Sequence, residues 1–252
     1  MSQSKANIFR LYLLILIVVG VSACEGDTAS PGATGQSGSM ARFAISENHL
    51  YTVGESSMQV FDISDVKNPV RGEYMPVGFN IETIFTNQSA LFIGSQNGMY
   101  IYDISQPGHP RQLSVYDHIT SCDPVVTSGN YAYVTLRNGV DCRLGQNLLD
   151  VIDISDLAKP RLVASKAMIN PHGLAIADTL LYICEGSAGL KVLNVKNHSD
   201  IQVVNHLEGF HAFDIIHQNQ TAIITGKDGI LQYHTSDPHD IKLLSQILIQ
   251  ND

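Results

Sequence analysis

Val151-Ile-Asp-Ile-Ser-Asp-Leu-Ala-Lys-Pro-Arg161 decides the fold of this 252-residue chain. It reads as a short buried strand, Val151 to Ile154, stopped by a Ser-Asp turn and a proline. The phrase returns as Val60-Phe-Asp-Ile-Ser-Asp-Val-Lys-Asn-Pro-Val70 and as Ile101-Tyr-Asp-Ile-Ser-Gln-Pro-Gly-His-Pro-Arg111. Weaker echoes are Val192-Leu-Asn-Val-Lys-Asn-His198 and Gln232-Tyr-His-Thr-Ser-Asp-Pro-His239. Each copy follows an apolar alternation. Aligning Tyr51, Phe92, Tyr133, Tyr182 and Ile223 gives steps of 41, 41, 49 and 41 residues. A period near 41 falls in the range of propellers and arrays. The long step is an insertion, Asn138 to Asn147, in the third unit.

Each unit divides into four short strands punctuated by turn residues. In the second unit these are Glu82–Thr86, Leu91–Gly94, Met99–Ile104 and Arg111–Tyr116, with Asn87, Gln96-Asn-Gly98 and Pro107-Gly-His-Pro110 between them. No apolar period of 3.6 residues runs between Met40 and Asp240, which excludes a helical solenoid. The tail from Ile241 could pass for a helix, but its register with the other fourth strands makes it β. Four antiparallel strands per repeat form a propeller blade, and radial closure protects sheet edges. The expectation is therefore an all-β, five-bladed β-propeller over 40–252. All five units look complete, so the terminal strands are expected to meet side by side without an exchanged strand.

The Val-Ile-Asp-Ile-Ser-x-Pro phrase resembles the LVIVD repeat family, exported bacterial and archaeal proteins whose repeats imply a propeller. Four further stretches are similar to its Bacteroidetes-type members: Ser121-Cys-Asp-Pro-Val125, Asn170-Pro-His-Gly-Leu174, Glu185-Gly-Ser-Ala-Gly-Leu-Lys-Val192 and Ala212-Phe-Asp-Ile215. The resemblance implies a fold and brings no activity. The chain departs from the motif at Asn194 and His234, where the family carries Asp, which argues against a catalytic motif aspartate.

The front of the chain is expected to stay outside the fold. Residues 1–23 join a basic start, Lys5 and Arg10, to the apolar run Leu11–Val19, which is secretory in length. A bilayer-spanning helix needs roughly 20 apolar residues. Val21-Ser-Ala-Cys24 resembles the lipobox of bacterial lipoproteins, implying an acylated Cys24; several acyl chains, at about 0.8 kcal/mol per buried CH₂, hold a membrane stably. Residues 24–39 are rich in Gly, Ser, Thr and Ala and read as a flexible tether. Glu25 and Asp27 resemble surface-export signals, so the expected location is extracytoplasmic, lipid-anchored at the outer membrane or cell surface.

Charge narrows the partners. Without residues 1–23 the chain has 13 basic against 24 acidic residues, a net charge near −11. Phosphate-backbone binding rests on Lys and Arg, so nucleic acid is excluded as a partner. Of the cysteines left, Cys122 and Cys142 flank one repeat's first strands and are expected to pair. The closed loop would contribute roughly 3 kcal/mol in the chain-entropy model. Cys184 sits in an apolar strand and is expected to be a buried free thiol.

The motif aspartates Asp62, Asp103 and Asp153 end strands before turns that carry Ser and then Pro, where carboxylates accept local backbone N–H bonds. They are read as structural. Ten residues before each aligned position lie Ala41, Glu82, Asp123, His172 and Phe213, with Asp214 next in line. These strand starts are expected at the central channel. Glu82, Asp123, His172 and Asp214 are candidate ligand or metal residues, with oxygen and nitrogen donors suited to a divalent cation. No other cofactor has a motif here. The same four could act as acid and base in a glycosidase or a metal-assisted hydrolase. The plainer alternative is hydrated channel lining. No zinc-binding His motif, nucleophile elbow or phosphate loop is present, and Gly186-Ser-Ala-Gly189 reads as a hairpin turn. Loops on a rigid scaffold favour binding, so Arg137–Arg143 are candidates for a protein or glycan partner. The sequence is thus read as a non-catalytic binding scaffold. Its rivals are the hydrolase and a structural component of a surface assembly.

Overall fold

The computed structural model describes residues 39–117, 124–138 and 146–249. They form five four-stranded antiparallel sheets. Blade 1 holds β1 (Phe43–Ser46), β2 (His49–Val53), β3 (Ser57–Asp62) and β4 (Val70–Pro76). Blade 2 holds β5 (Ile81–Asn87), β6 (Ala90–Ser95), β7 (Gly98–Asp103) and β8 (Arg111–Asp117). Blade 3 holds β9 (Val125–Ser128), β10 (Tyr131–Leu136), β11 (Leu148–Asp153) and β12 (Arg161–Ala167). Blade 4 holds β13 (Leu174–Ala177), β14 (Leu180–Cys184), β15 (Leu190–Asn194) and β16 (Gln202–Leu207). Blade 5 holds β17 (Asp214–Gln218), β18 (Thr221–Gly226), β19 (Gly229–His234) and β20 (Lys242–Leu248). Every sheet of the described residues fills in chain order, and no strand among them is exchanged. The architecture is the expected five-bladed β-propeller, and the tail from Ile241 is a strand.

Local chemistry repeats with the blades. First and second strands join through two-residue turns whose leading residues, Glu47, Gln88, Gly129, Asp178 and Asn219, take φ between 49° and 55°. Positive φ suits the turn to the twist of a hairpin. Third and fourth strands shift register at one place in every blade, for example between Val151 and Ile152. This bulge stands beside the motif aspartate and increases local twist. The carboxylates then do what the sequence suggested. Asp62, Asp103 and Asp153 each accept the backbone N–H two residues on, from Ser64, Ser105 and Ser155, at 2.8 Å. Asn194 does the same for Lys196 at 2.9 Å. Hydrogen bonding holds all three aspartates below the usual carboxylate range.

The core is divided among seams between successive blades. Tyr51 packs with Leu91, Phe92 with Ala132, Tyr133 with Leu181, and Tyr182 with Ala222, each pair within one buried cluster. The aligned aromatic of one blade thus meets the rear face of the next. Among the described residues no cluster joins blade 5 to blade 1. The side-by-side meeting expected of the terminal strands has no such core, because Leu50 and Ile223, which would face each other there, are only half-buried.

Cys184 is free and fully buried, as expected. Burial pushes its thiol pKa well up, so the group stays protonated. Cys24, Cys122 and Cys142 lie outside the described residues, so the acylation and the pairing are not addressed by the fold.

Candidate functional site

Three of the four candidate ring residues fall among the described residues; Asp123 does not. His172 and Asp214 stand at the starts of the inner strands of blades 4 and 5, and Glu82 at that of blade 2. Glu82 occupies a bulge, since Ile81 pairs with Ser95 and Thr83 with Gly94.

The Asn170-Pro-His-Gly173 stretch continues the inner hairpin of blade 4 beyond its strand. His172 N donates to Cys184 O at 2.7 Å, and Cys184 N donates to Gly173 O at 2.9 Å. The Thr135 hydroxyl donates to His172 O at 2.8 Å and ties the stretch to blade 3. The His172 ring lies 5.4 Å, centroid to centroid, from Phe213. Burial, helped by the nearby positive Arg137, lowers its pKa from 6.5 to about 4. The imidazole is therefore neutral across the physiological range.

Asp214 is built differently. Its carboxylate rests on Gly173, where any Cβ would collide with Oδ1. Ser39 completes the arrangement: its hydroxyl accepts Leu174 N at 2.7 Å and lies 3.3 Å from Asp214 Oδ1 as donor. Backbone bonds from Ile215 and Met40 also reach the carboxylate. Burial outweighs these bonds and raises the Asp214 pKa. Ser39 is only 1 % exposed, so the start of the described chain is seated inside the mouth and links blades 4 and 5. Composition had placed Ser39 in the flexible tether, and nothing in its polar neighbours marks it as docked.

Beside this clasp stands a buried ion pair that sequence reasoning missed. Lys191 Nζ lies 2.6 Å from Glu185 Oε2, with the carboxylate side chain fully buried and the lysine 11 % exposed. Glu185 Oε1 accepts Ile169 N at 3.0 Å. The only sequence signal was the Glu185-Gly-Ser-Ala-Gly-Leu-Lys-Val192 stretch, where the hairpin turn brings positions 185 and 191 together. That turn forms as expected, with Gly186 and Gly189 both at positive φ. The cost of removing both charges from water offsets much of their attraction, so such a pair is weak evidence of added stability, whereas removing one partner alone would leave a buried charge uncompensated.

Among the described residues, no three His, Cys, Asp or Glu side chains gather as metal ligands. The geometry brings His172 and Asp214 to one mouth on adjoining blades. The insertion is anchored at its base, where Asn138 N donates to Asn147 Oδ1 at 2.9 Å and Met168 N to Asn147 O at 2.9 Å. Residues 139–145 lie outside the described set. At the opposite end of the strands, a cleft of about 280 Å³ opens between blades 3 and 4. Its wall includes Tyr131 stacked on His198 with centroids 3.5 Å apart, while the Tyr133 hydroxyl lies 3.1 Å from His198 Nδ1.

Comparison with known proteins agrees with this architecture. Solved structures similar to the chain include a protein from Lactobacillus plantarum, with 15% identity, a TM-score of 0.67, and coverage of 82% of this chain and 71% of that one. The periplasmic gluconolactonase PpgL of Pseudomonas aeruginosa matches with 12% identity, a TM-score of 0.64, and coverage of 81% and 68%. The computationally designed protein Ika8 matches with 15% identity, a TM-score of 0.61, and coverage of 81% and 60%. At such identities the likeness is one of fold, and the chain spans only part of the length of these structures. No curated protein matches the sequence. The LVIVD repeat profile matches residues 37–75, 91–118 and 121–167. These matches fall on blades 1 to 3, and blades 4 and 5 echo the same phrase more weakly: the chain belongs to the LVIVD repeat family.

Proposed function

We propose that this chain is a lipid-anchored, extracytoplasmic propeller that serves as a non-catalytic binding scaffold, held at the membrane through Cys24. The observation that carries the reading is Ser39. A catalytic carboxylate must face an open site where a substrate can reach it. Asp214 instead holds the chain's own Ser39 and Met40, which leaves loops and clefts as the surfaces for a protein or glycan partner. The second reading, a hydrolase, draws on one specific feature. A neutral imidazole and a carboxyl of raised pKa share one mouth, as an acid–base pair would. The fold likeness to a gluconolactonase gives lactones as a substrate class to try.

The test uses the full chain and an Asp123→Asn, His172→Ala double variant, both assayed for bound metal, chelator sensitivity, and turnover of lactones and glycosides. The scaffold reading expects no stoichiometric metal, no chelator effect on Tm and no turnover. Metal or turnover present in the parent chain and lost in the variant would overturn it in favour of the hydrolase. In the same expression system, Cys24→Ala is expected to move the chain from the membrane fraction to the soluble one.

A further inference from the structure

The repeat states what each blade face is shaped to meet. At the aligned position, Tyr51, Phe92, Tyr133 and Tyr182 are each no more than 1 % exposed because the following blade covers them, whereas Ile223 of blade 5 is only half-buried. One residue earlier, on the opposite face, Leu91, Ala132, Leu181 and Ala222 are all at 0 %, covered by the preceding blade, whereas Leu50 of blade 1 is half-buried. The two breaks in the pattern fall at the two ends of the series. Among the described residues, nothing covers the forward face of blade 5 or the rear face of blade 1.

Around each break the apolar surface is broad. On the forward face of blade 5, Ile230 and its cross-strand partner Ile247 are 37 % and 67 % exposed. The equivalent of Ile230 in blade 1, Met58, is at 0 %. On the rear face of blade 1, Phe43 and Tyr74 are 50 % and 63 % exposed. Uncovered apolar surface of this kind on a soluble protein marks an interaction site.

From this we infer that the forward face of blade 5 docks on the rear face of blade 1 of a second copy of this chain. The occupant follows from the four internal seams, in which a forward face is always covered by a rear face of the same repeat. Among the described residues, the one uncovered rear face is that of blade 1. Within a single chain, Ile223 and Leu50 share no core cluster among the described residues. A second copy supplies the missing half, and the contact is heterologous: different surfaces meet, so copies join head to tail. This inference does not rest on the scaffold reading, since it concerns blade faces away from the channel mouth.

The experiment measures the mass of the full chain in mild detergent at micromolar concentration, by light scattering coupled to size exclusion. Two variants each block one face: Ile230→Glu with Ile247→Lys on blade 5, and Phe43→Glu with Tyr74→Glu on blade 1. All four positions are exposed, and circular dichroism checks that each variant keeps the parent's β signal. The parent is expected at a mass of at least two chains, and each variant at half that mass or less, as a single chain. Mixing the two variants restores one productive pair, forward face to rear face, and should give particles of two chains and no more. A parent that stays a single chain overturns the inference. So does a parent assembly that survives either variant, because the contact would then be elsewhere or would join identical faces.

Discussion

Gly173 shows how one residue sets the chemistry of another. Because it lacks a Cβ, the Asp214 carboxylate can lie against the backbone of blade 4 and receive Ser39. The same burial that raises the Asp214 pKa lowers that of His172, and the two have opposite consequences for stability. His172 binds a proton near pH 6.5 when unfolded and only near 4 when folded. Its contribution is therefore full above about 6.5 and is lost as the pH falls toward 4. Asp214, raised from 3.8, works the other way: its contribution is present at low pH and is lost as the pH rises through its folded value. Between pH 6.5 and 4 the Tm of the chain is expected to fall, and His172→Gln should flatten that fall. Some slope will remain, because burial also lowers the pKa of His198 and His217. A pH series of thermal melts decides it, and an unchanged slope in the variant would mean that His172 is protonated freely in the fold.

At the scale of elements, the recurring device is an aromatic that reaches from one blade into the next. The Tyr51 hydroxyl donates to Pro107 O at 2.9 Å in blade 2, and that of Tyr133 meets His198 of blade 4 at 3.1 Å. Both rings are buried, and burial pushes both phenol pKa values up, to about 12 at Tyr133. Phe92 fills the same place between blades 2 and 3 with no hydroxyl, so packing alone makes a seam, and the hydroxyl adds to it. Tyr51→Phe and Tyr133→Phe should each lower stability by about 1 kcal/mol, the usual net value of one hydrogen bond. Replacing Phe92 by Leu, which removes ring packing, should cost more. Urea midpoints at constant slope are the measurement, and unchanged midpoints in the two Phe variants would show that the hydroxyls add nothing. The turns after each third strand are likewise local. Asp153 finds the N–H of Ser155 without help from the rest of the fold, which is why the repeated phrase could be read correctly as structure.

The whole molecule shows where such local reading stops. Blade number and strand order follow from short-range patterns repeated five times. The alignment also placed His172 and Asp214 at the starts of inner strands. Ser39 was out of reach, because its burial depends on Leu174 and Asp214, far along the chain. The Glu185–Lys191 pair was hidden because single charges in apolar strands have no pattern. The uncovered end faces were hidden for a related reason: Ile223 looks like any other strand residue until its missing neighbour is known. In repeat architectures, stability is close to a sum of repeat terms and neighbour seams. Among the described residues, blades 2, 3 and 4 have two seams each, whereas blades 1 and 5 have one. Amide exchange at low protein concentration should therefore be slowest in β5 to β16 and fastest in β17 to β20, where every residue of β20 is exposed. Tyr182→Ala, which empties the seam between blades 4 and 5, should speed exchange in blade 5 and leave blades 1 and 2 at the parent rate. Mass spectrometry of peptides from each blade reads both effects. Even protection across all five blades, or a Tyr182→Ala effect that spreads to blade 1, would mean that blades 5 and 1 share a seam within one chain.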